Sequence, residues 1–250
     1  MESSTRLGSN RTGLQMSPAD AKQLVEGAER TVPSSAGDAS AMALLRQSYV
    51  READALGTVP PPGSVKGLLK SGVQMLGGNR PQVLVDKLAE RLAFERAGTR
   101  LYDAVLAKCA VRAEELGQGE IARLAEIRDE EARHALLVME AIETLGADPS
   151  AQTPCADLVG VQGLGLLQSI TDPRTTIAQS LNSLLVAELT DNAGWELLIR
   201  LADESGQAEM ARRFEDALAA EQRHLGTVKS LVEELTLGAR RMGSAEARLS

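Results

Sequence analysis

Aromatic side chains are scarce in this chain: two Phe, two Tyr and one Trp in 250 residues. Sheets favour aromatic and β-branched residues. Their scarcity, with Leu and Ala abundant, points to helices packed through aliphatic side chains. Basic residues are too few for a nucleic-acid surface. Lys and Arg number 27 against 35 Asp and Glu, a net charge of −8, which argues against a polyanionic partner. No run of about 18 apolar residues occurs, so no membrane-spanning helix is expected. Residues 1–15 are polar and contain no apolar signal region, so a cytoplasmic location is expected. Cys109 and Cys155 stand alone with no CxxC pair, so a disulfide framework is not expected. His is equally rare. There are two, His134 and His224, and each follows a Glu by three residues.

Residues 1–80 differ from the rest. Ser, Gly, Pro and Ala dominate 1–18 and 33–39. A short helix is expected from Ser17-Pro18, with Ser capping and Pro in the first turn, and a second over about 39–55. Pro60-Pro61-Pro62 stops any helix. A third short helix is read over 65–76, ended by Gly77-Gly78. This segment is expected to be an N-terminal arm, partly helical or disordered.

From Pro81 the pattern becomes that of four long helices of about 25 to 30 residues, each roughly 40 Å long. The first runs to about Val111 with Leu84, Leu88, Leu92, Glu95, Thr99, Tyr102, Leu106 and Cys109 on one stripe. The second opens near Gly119 and stops at Gly146. Its stripe is Leu124, Ile127, Glu131, His134, Val138, Ala141 and Leu145. The third is expected to begin at Asp172-Pro173, a cap followed by Pro. Its stripe is Ile177, Leu181, Leu184, Glu188, Asn192, Trp195 and Ile199. The fourth follows Ser205-Gly206, with Met210, Phe214, Ala217, Glu221, His224, Val228 and Leu231 on its stripe and Gly238 beyond its end. The bundle is read over 81–238 and a C-terminal tail over 239–250.

Glu95, Glu131, His134, Glu188, Glu221 and His224 fall on the apolar stripes, near their middles. An ordinary amphipathic helix turns its carboxylates to solvent. Residues i and i+3 share a helix face, so each Glu-x-x-His pair aims a carboxylate and an imidazole at one point. Burying four carboxylates together is very costly without cations. The spacing adds an independent check. In an antiparallel hairpin, residues at one level are equidistant from the turn. Glu95 and the 131–134 pair place the first turn near 114, where 112–119 reads as a loop; Glu188 and the 221–224 pair place the second near 205, at Ser205-Gly206. The link over 147–171 must then run the length of the bundle, with slack for a short helix over 156–170.

With this pattern, over about 81–237, the chain resembles the ferritin-like superfamily, which includes ferritins, bacterioferritins and rubrerythrins. The strongest part is Glu95, Glu131-x-x-His134, Glu188, Glu221-x-x-His224. Tyr102 and Trp195 stand seven residues after Glu95 and Glu188, where that family often carries an aromatic, and the segment 90–96 resembles bacterial ferritin-like proteins. The resemblance implies an all-α fold: a ferritin-like four-helix bundle with a long crossover between helices 2 and 3, here with an extra N-terminal arm. It also implies two iron ions, with manganese or a mixed manganese–iron pair suiting the same ligands. His134 and His224 would each bind one ion, Glu131 and Glu221 would bridge both, and Glu95 and Glu188 would be terminal ligands. Four carboxylates balance two divalent cations. Asp191, one turn beyond Glu188, reads as an extra ligand or, preferably, as a solvated or supporting Asp.

The function so implied is that of a non-haem di-iron protein oxidising Fe(II) with O2 or peroxide. This is a ferroxidase-like oxidoreductase in iron handling or oxidative stress, with Tyr102 beside the reacting centre. The alternatives are a substrate oxidase or oxygenase on the same metals, which needs an apolar pocket beside Glu95 and Glu188, and a non-enzymatic iron-binding bundle. The absent CxxC pairs remove the rubredoxin-type relay of rubrerythrins, and no haem ligand is evident. The long crossover and the arm argue against a ferritin cage and are compatible with a homodimer. Residues 235–241 resemble encapsulin-targeting tails; a Gly238 helix stop followed by a frayed basic end is the simpler reading.

Overall fold

A computed structural model describes residues 18–30, 39–60 and 81–246. Among them are seven helices and no strand. The chain divides into two units between Ala55 and Leu56. The first holds α1 (Pro18–Arg30) and α2 (Ala39–Glu52). Pro18 opens α1 as expected, and α2 stops at Glu52, three residues before the expected end. The helix read over 65–76 lies outside the described residues.

The second unit holds α3 (Pro81–Val111), α4 (Gln118–Thr144), α5 (Pro154–Thr171), α6 (Ile177–Glu204) and α7 (Ala208–Glu246). Helices α3 and α4 pack as one hairpin and α6 and α7 as another, with α3 also against α6 and α4 against α7. The 32-residue interval between them carries α5, which lies on α3 and touches α6. Two antiparallel pairs joined by one long crossover make the ferritin-like fold. Among the described residues no helix is long and apolar enough to cross a membrane.

The turns are built by residues suited to them. Gly146 and Gly206 have φ of 84° and 72°, the left-handed region that favours Gly after a helix end. Thr153 caps α5 by accepting from the Ala156 N–H, with Pro154 in the first turn. The Asp86 carboxylate accepts from the Cys155 N–H at 3.0 Å, tying the start of the crossover to α3. At its far end Lys108 donates to the carbonyls of Asp172 and Thr175, each at 3.1 Å.

Two expected helix ends are corrected. Helix α6 does not begin at Asp172-Pro173. Its cap is Thr176, whose hydroxyl accepts from the Gln179 N–H while the Gln179 side chain accepts from the Thr176 N–H. This Thr-x-x-Gln capping box satisfies two helix-end donors at once, and Asp172 instead ends α5 and binds Arg174. Helix α7 does not stop at Gly238 but continues to Glu246. A Gly costs a helix only about 1 kcal/mol against Ala, and the following Ala-Arg-Arg-Met run favours helix.

Two apolar clusters fill the bundle. One joins Leu84, Leu88, Leu92, Val138, Ile142, Trp195, Leu198 and Phe214. The other joins Leu101, Tyr102, Val105, Leu124, Ile127, Ile177, Leu181, Leu184 and Val228. On each of the four long helices the numbering shows a gap between the two clusters. The polar stripe residues fall in those gaps. On α3 the buried stripe runs 95, 98, 102, 105 and 109, whereas Thr99 and Leu106 are half-buried. A 3.6-residue repeat drifts this way along a long helix.

Candidate metal centre

All six sequence-derived donors are buried in one layer. Glu95 and Glu221 are fully buried, and Glu131, His134, Glu188 and His224 nearly so. Their ligand atoms fall into groups within 4.8 Å: Glu131, Glu188, Glu221 and His224 form one, and Glu95, His134 and Glu221 another. Glu221 is common to both. A third group joins Glu95, Glu131 and Glu221 with Asp191.

The contacts show carboxylates and imidazoles converging. His224 Nδ1 lies 2.9 Å from Glu221 Oε2 and 3.4 Å from Glu131 Oε1. His134 Nδ1 lies 2.5 Å from Glu221 Oε1 and 3.9 Å from Glu95 Oε2. Yet His134 Nδ1 and Glu221 Oε1 are both buried and, beyond facing each other, have no hydrogen-bond partner. Both Glu95 oxygens, Glu188 Oε2 and Asp191 Oδ2 share that condition. Leaving a buried polar atom unpaired costs about 1–3 kcal/mol, more for a charged one, so this many in one layer call for cations. Carboxylate and imidazole donors suit iron or manganese. The residues therefore fit a divalent pair.

Electrostatics agree. Burial pushes the Glu95 and Glu188 carboxyls well above the usual carboxylate range, and the neighbouring Glu131 pushes them further. Burial raises Glu131 as well, against the pull of His224. Burial also opposes the charge of Glu221, but His134 and His224 outweigh it and hold Glu221 at about 2. Burial opposes the His224 cation, but Glu131, Glu221 and Glu130 outweigh it and lift His224 to about 11. Burial and mutual repulsion thus disfavour charge on Glu95, Glu131 and Glu188, while Glu221 and His224 favour a charged pair.

The helices meet closely here because small residues let them. A Cβ on Gly98 would overlap Oε2 of Glu131, so Gly here lets that carboxylate keep its present position. Tyr102 donates to Glu188 Oε1 at 2.5 Å. Asn192 donates to the Glu188 and Glu221 carbonyls at 2.9 and 3.1 Å, pinning α6 to α7 at this level. The Trp195 ring meets His134 edge-on at 5.7 Å, with its indole nitrogen unpaired.

No family model matches the chain, and no curated relative matches it. A solved structure does. It is a ferritin-like, diiron-carboxylate protein from Bacillus anthracis str. Ames, 22% identical, covering 60% of this chain and 94% of its own, with a TM-score of 0.47.

Two side chains around the centre escaped the sequence reading, and a third, Asp191, was read as an extra ligand or a solvated or supporting Asp. Glu130 Oε2 lies 2.6 Å from His224 Nε2. Its spacing, three after Ile127 and four before His134, marks it as the edge of the inward stripe. Arg91 is buried, its Nε 3.5 Å from Glu95 Oε1 and its guanidinium paired with Asp191. Its place, three after Leu88 and four before Glu95, carries the same signal. Of the solvated and supporting readings of Asp191, the supporting one agrees with its burial against Arg91 and the solvated one does not. Glu90, by contrast, is turned to Lys87 at 2.5 Å.

Proposed function

We propose that the chain is a non-haem di-iron protein that oxidises Fe(II) with O2 or peroxide. The observation that supports this best is the layer of buried, unpartnered carboxylate and imidazole atoms drawn from four helices. Glu95, Glu131, His134, Glu188, Glu221 and His224 would hold the ions, with Glu221, and Glu131 beside it, shared. A bound iron pair supplies the electrons that reduce the oxidant. The chain's own residues do the rest. The apolar clusters on either side limit water. Tyr102 keeps its proton on the phenol oxygen, because burial and then Glu188 push its pKa up, and it holds Glu188 by donating to it. Asn192 fixes the separation of the helices that carry Glu188 and Glu221.

The test begins with metal-free protein titrated anaerobically with Fe(II). Saturation near two ions per chain is expected, and its loss in a His134→Ala, His224→Ala double variant. In air, oxygen consumption should exceed that of Fe(II) in buffer alone, and Glu95→Ala or Glu188→Ala should slow it strongly. Binding without faster oxidation would leave an iron-binding bundle. No binding would remove the metal reading.

A second reading, oxidation of an apolar substrate, is favoured by one observation. A cavity of about 280 Å³ lies among α3, α5 and α6, and Phe94, Gly98, Val186 and Thr190 on its wall flank Glu95 and Glu188 in sequence. Under that reading oxygen uptake stays low until an apolar molecule is added, and Gly163→Leu, which fills the cavity from α5, abolishes the stimulation.

A further inference from the structure

Two charged side chains support the cluster, and they carry opposite signs. Behind His224 stands Glu130, 2.6 Å from Nε2. A carboxylate there fixes the imidazole tautomer, makes the ring a better donor and adds negative charge. Beside Glu95 stands Arg91. Its Nε is 3.5 Å from Glu95 Oε1, and it donates to the Asp191 carbonyl at 3.1 Å and pairs with the Asp191 carboxylate. The guanidinium lies 4.4 Å from the Phe94 ring centre and 5.7 Å from that of Trp195. On the remaining side Gly194 makes room, since a Cβ there would come within 3.0 Å of it. Two rings, the Asp191 carboxylate and carbonyl, and the Gly194 backbone surround this buried cation.

The donor groups differ in the same sense. The His224 group has four donors, three of them carboxylates; the His134 group has three, two of them carboxylates. More donors and more negative charge coincide with the supporting anion. The His134 group has fewer donors beside the fixed cation, and the further group that Glu95 forms with Glu131, Glu221 and Asp191 takes in the carboxylate that already pairs with Arg91. Arg91 also competes for the Glu95 oxygen that faces it.

From this we infer that the two donor groups are unequal cation sites that fill in order, the His224 group first, and that Arg91 holds the Glu95–His134 group at the weaker affinity. The inference rests on the metal reading above. Neither Arg91 nor Glu130 is a ligand; each acts through the ligand it touches, Arg91 on Glu95 and Glu130 on His224.

The test is calorimetric titration of the full metal-free chain with Mn(II) under argon, which reads binding without oxidation. Wild type should show two steps whose affinities differ by roughly tenfold or more. Arg91→Met should strengthen the second step by roughly tenfold and leave the first unchanged, because it removes a nearby positive charge. Arg91→Lys, which keeps the charge, should restore the separation. Glu130→Gln should weaken the first step by roughly 10–100-fold and spare the second. His134→Ala should retain one tight ion, and His224→Ala should lose it. Two equivalent ions in wild type would overturn the ordering while leaving the metal reading intact. So would an unmoved second step in a folded Arg91→Met. If Arg91→Met does not fold, Glu130→Gln decides, and an unchanged first step overturns the assignment. No bound Mn(II) at all removes the ordering along with the site.

Discussion

The ends of the bundle and its middle obey different rules. At the ends, Leu88, Phe214 and Trp195 in one cluster and Val105, Leu181 and Val228 in the other are fully buried apolar groups, and each stabilises the fold by leaving water. In the middle, equally deep burial falls on Glu95, Glu131, Glu188 and Glu221, and each opposes folding unless a cation meets it. The same four helices run through both regions. The difference teaches that burial, which stabilises the ends outright, stabilises the middle only where its carboxylate charge is neutralised.

The largest expected effect therefore comes from the ends. Phe214→Ala should destabilise the protein by about 3–5 kcal/mol, and by the same amount with and without metal, in paired denaturant titrations. A loss confined to the metal-loaded form would show that Phe214 belongs to the centre rather than to the packing.

Metal itself should follow. Divalent metal at a hundred times its dissociation constant stabilises the native state by about 2.7 kcal/mol per independent site. Thermal melts of loaded and chelator-treated protein read this directly, and equal melting temperatures would erase the contrast between middle and ends. Glu131→Gln should narrow the gap from both sides, since it removes a charge that metal-free protein must bury and loaded protein uses.

Acidity should act on the metal-free middle with a definite sign. Glu95, Glu131 and Glu188 are raised above the ordinary value of 4.5. Their contribution is whole below 4.5 and is lost as pH rises through their folded values. His224 has the same sign, whole below 6.5 and lost as pH rises through about 11. Glu221 has the opposite sign, but its loss comes only as pH falls from 4.5 through about 2. Metal-free protein should thus melt lower at about pH 9 than at about pH 6. A rise in melting temperature over that interval would mean that the layer is hydrated.

The smallest effect belongs to Glu90→Ala. Its ion pair with Lys87 is half-exposed, and such pairs contribute about 0–1 kcal/mol. Oxidation rate and metal stoichiometry should not change. A loss equal to that of Glu95→Ala would mean that α3 is rotated from the orientation described.

Much of this was legible because long helices repeat. The stripes of α4 and α7 were read residue by residue, since Glu131, His134, Glu221 and His224 break an otherwise apolar period and so reveal which way they point. The hairpin levels followed from counting, which the turns over 112–117 and at Gly206 make safe. What escaped has a common cause. Glu130 and Arg91 sit at the edges of stripes, where a one-letter pattern reads a charge as solvent-facing, and only the neighbouring helix decides whether it is covered; for Asp191 the same ambiguity left a solvated and a supporting reading open. The Thr176 cap was hidden by an Asp-Pro pair that suits a helix start equally well. Gly238 was read as a stop because Gly ends many helices, although only a left-handed φ makes it do so.

Gly98 bears on how such a chain tolerates change. Replacing a mid-helix Gly by Ala is among the commonest ways to strengthen a protein, typically adding about 0.5–1 kcal/mol. Here the added methyl would take the space of Oε2 of Glu131. The carboxylate tip would have to turn aside, so a single methyl on α3 would move an oxygen of the candidate site from a different helix. A stabilisation campaign guided by helix propensity alone would favour Gly98→Ala, and on the reading proposed above it would alter metal binding in a protein that still folds.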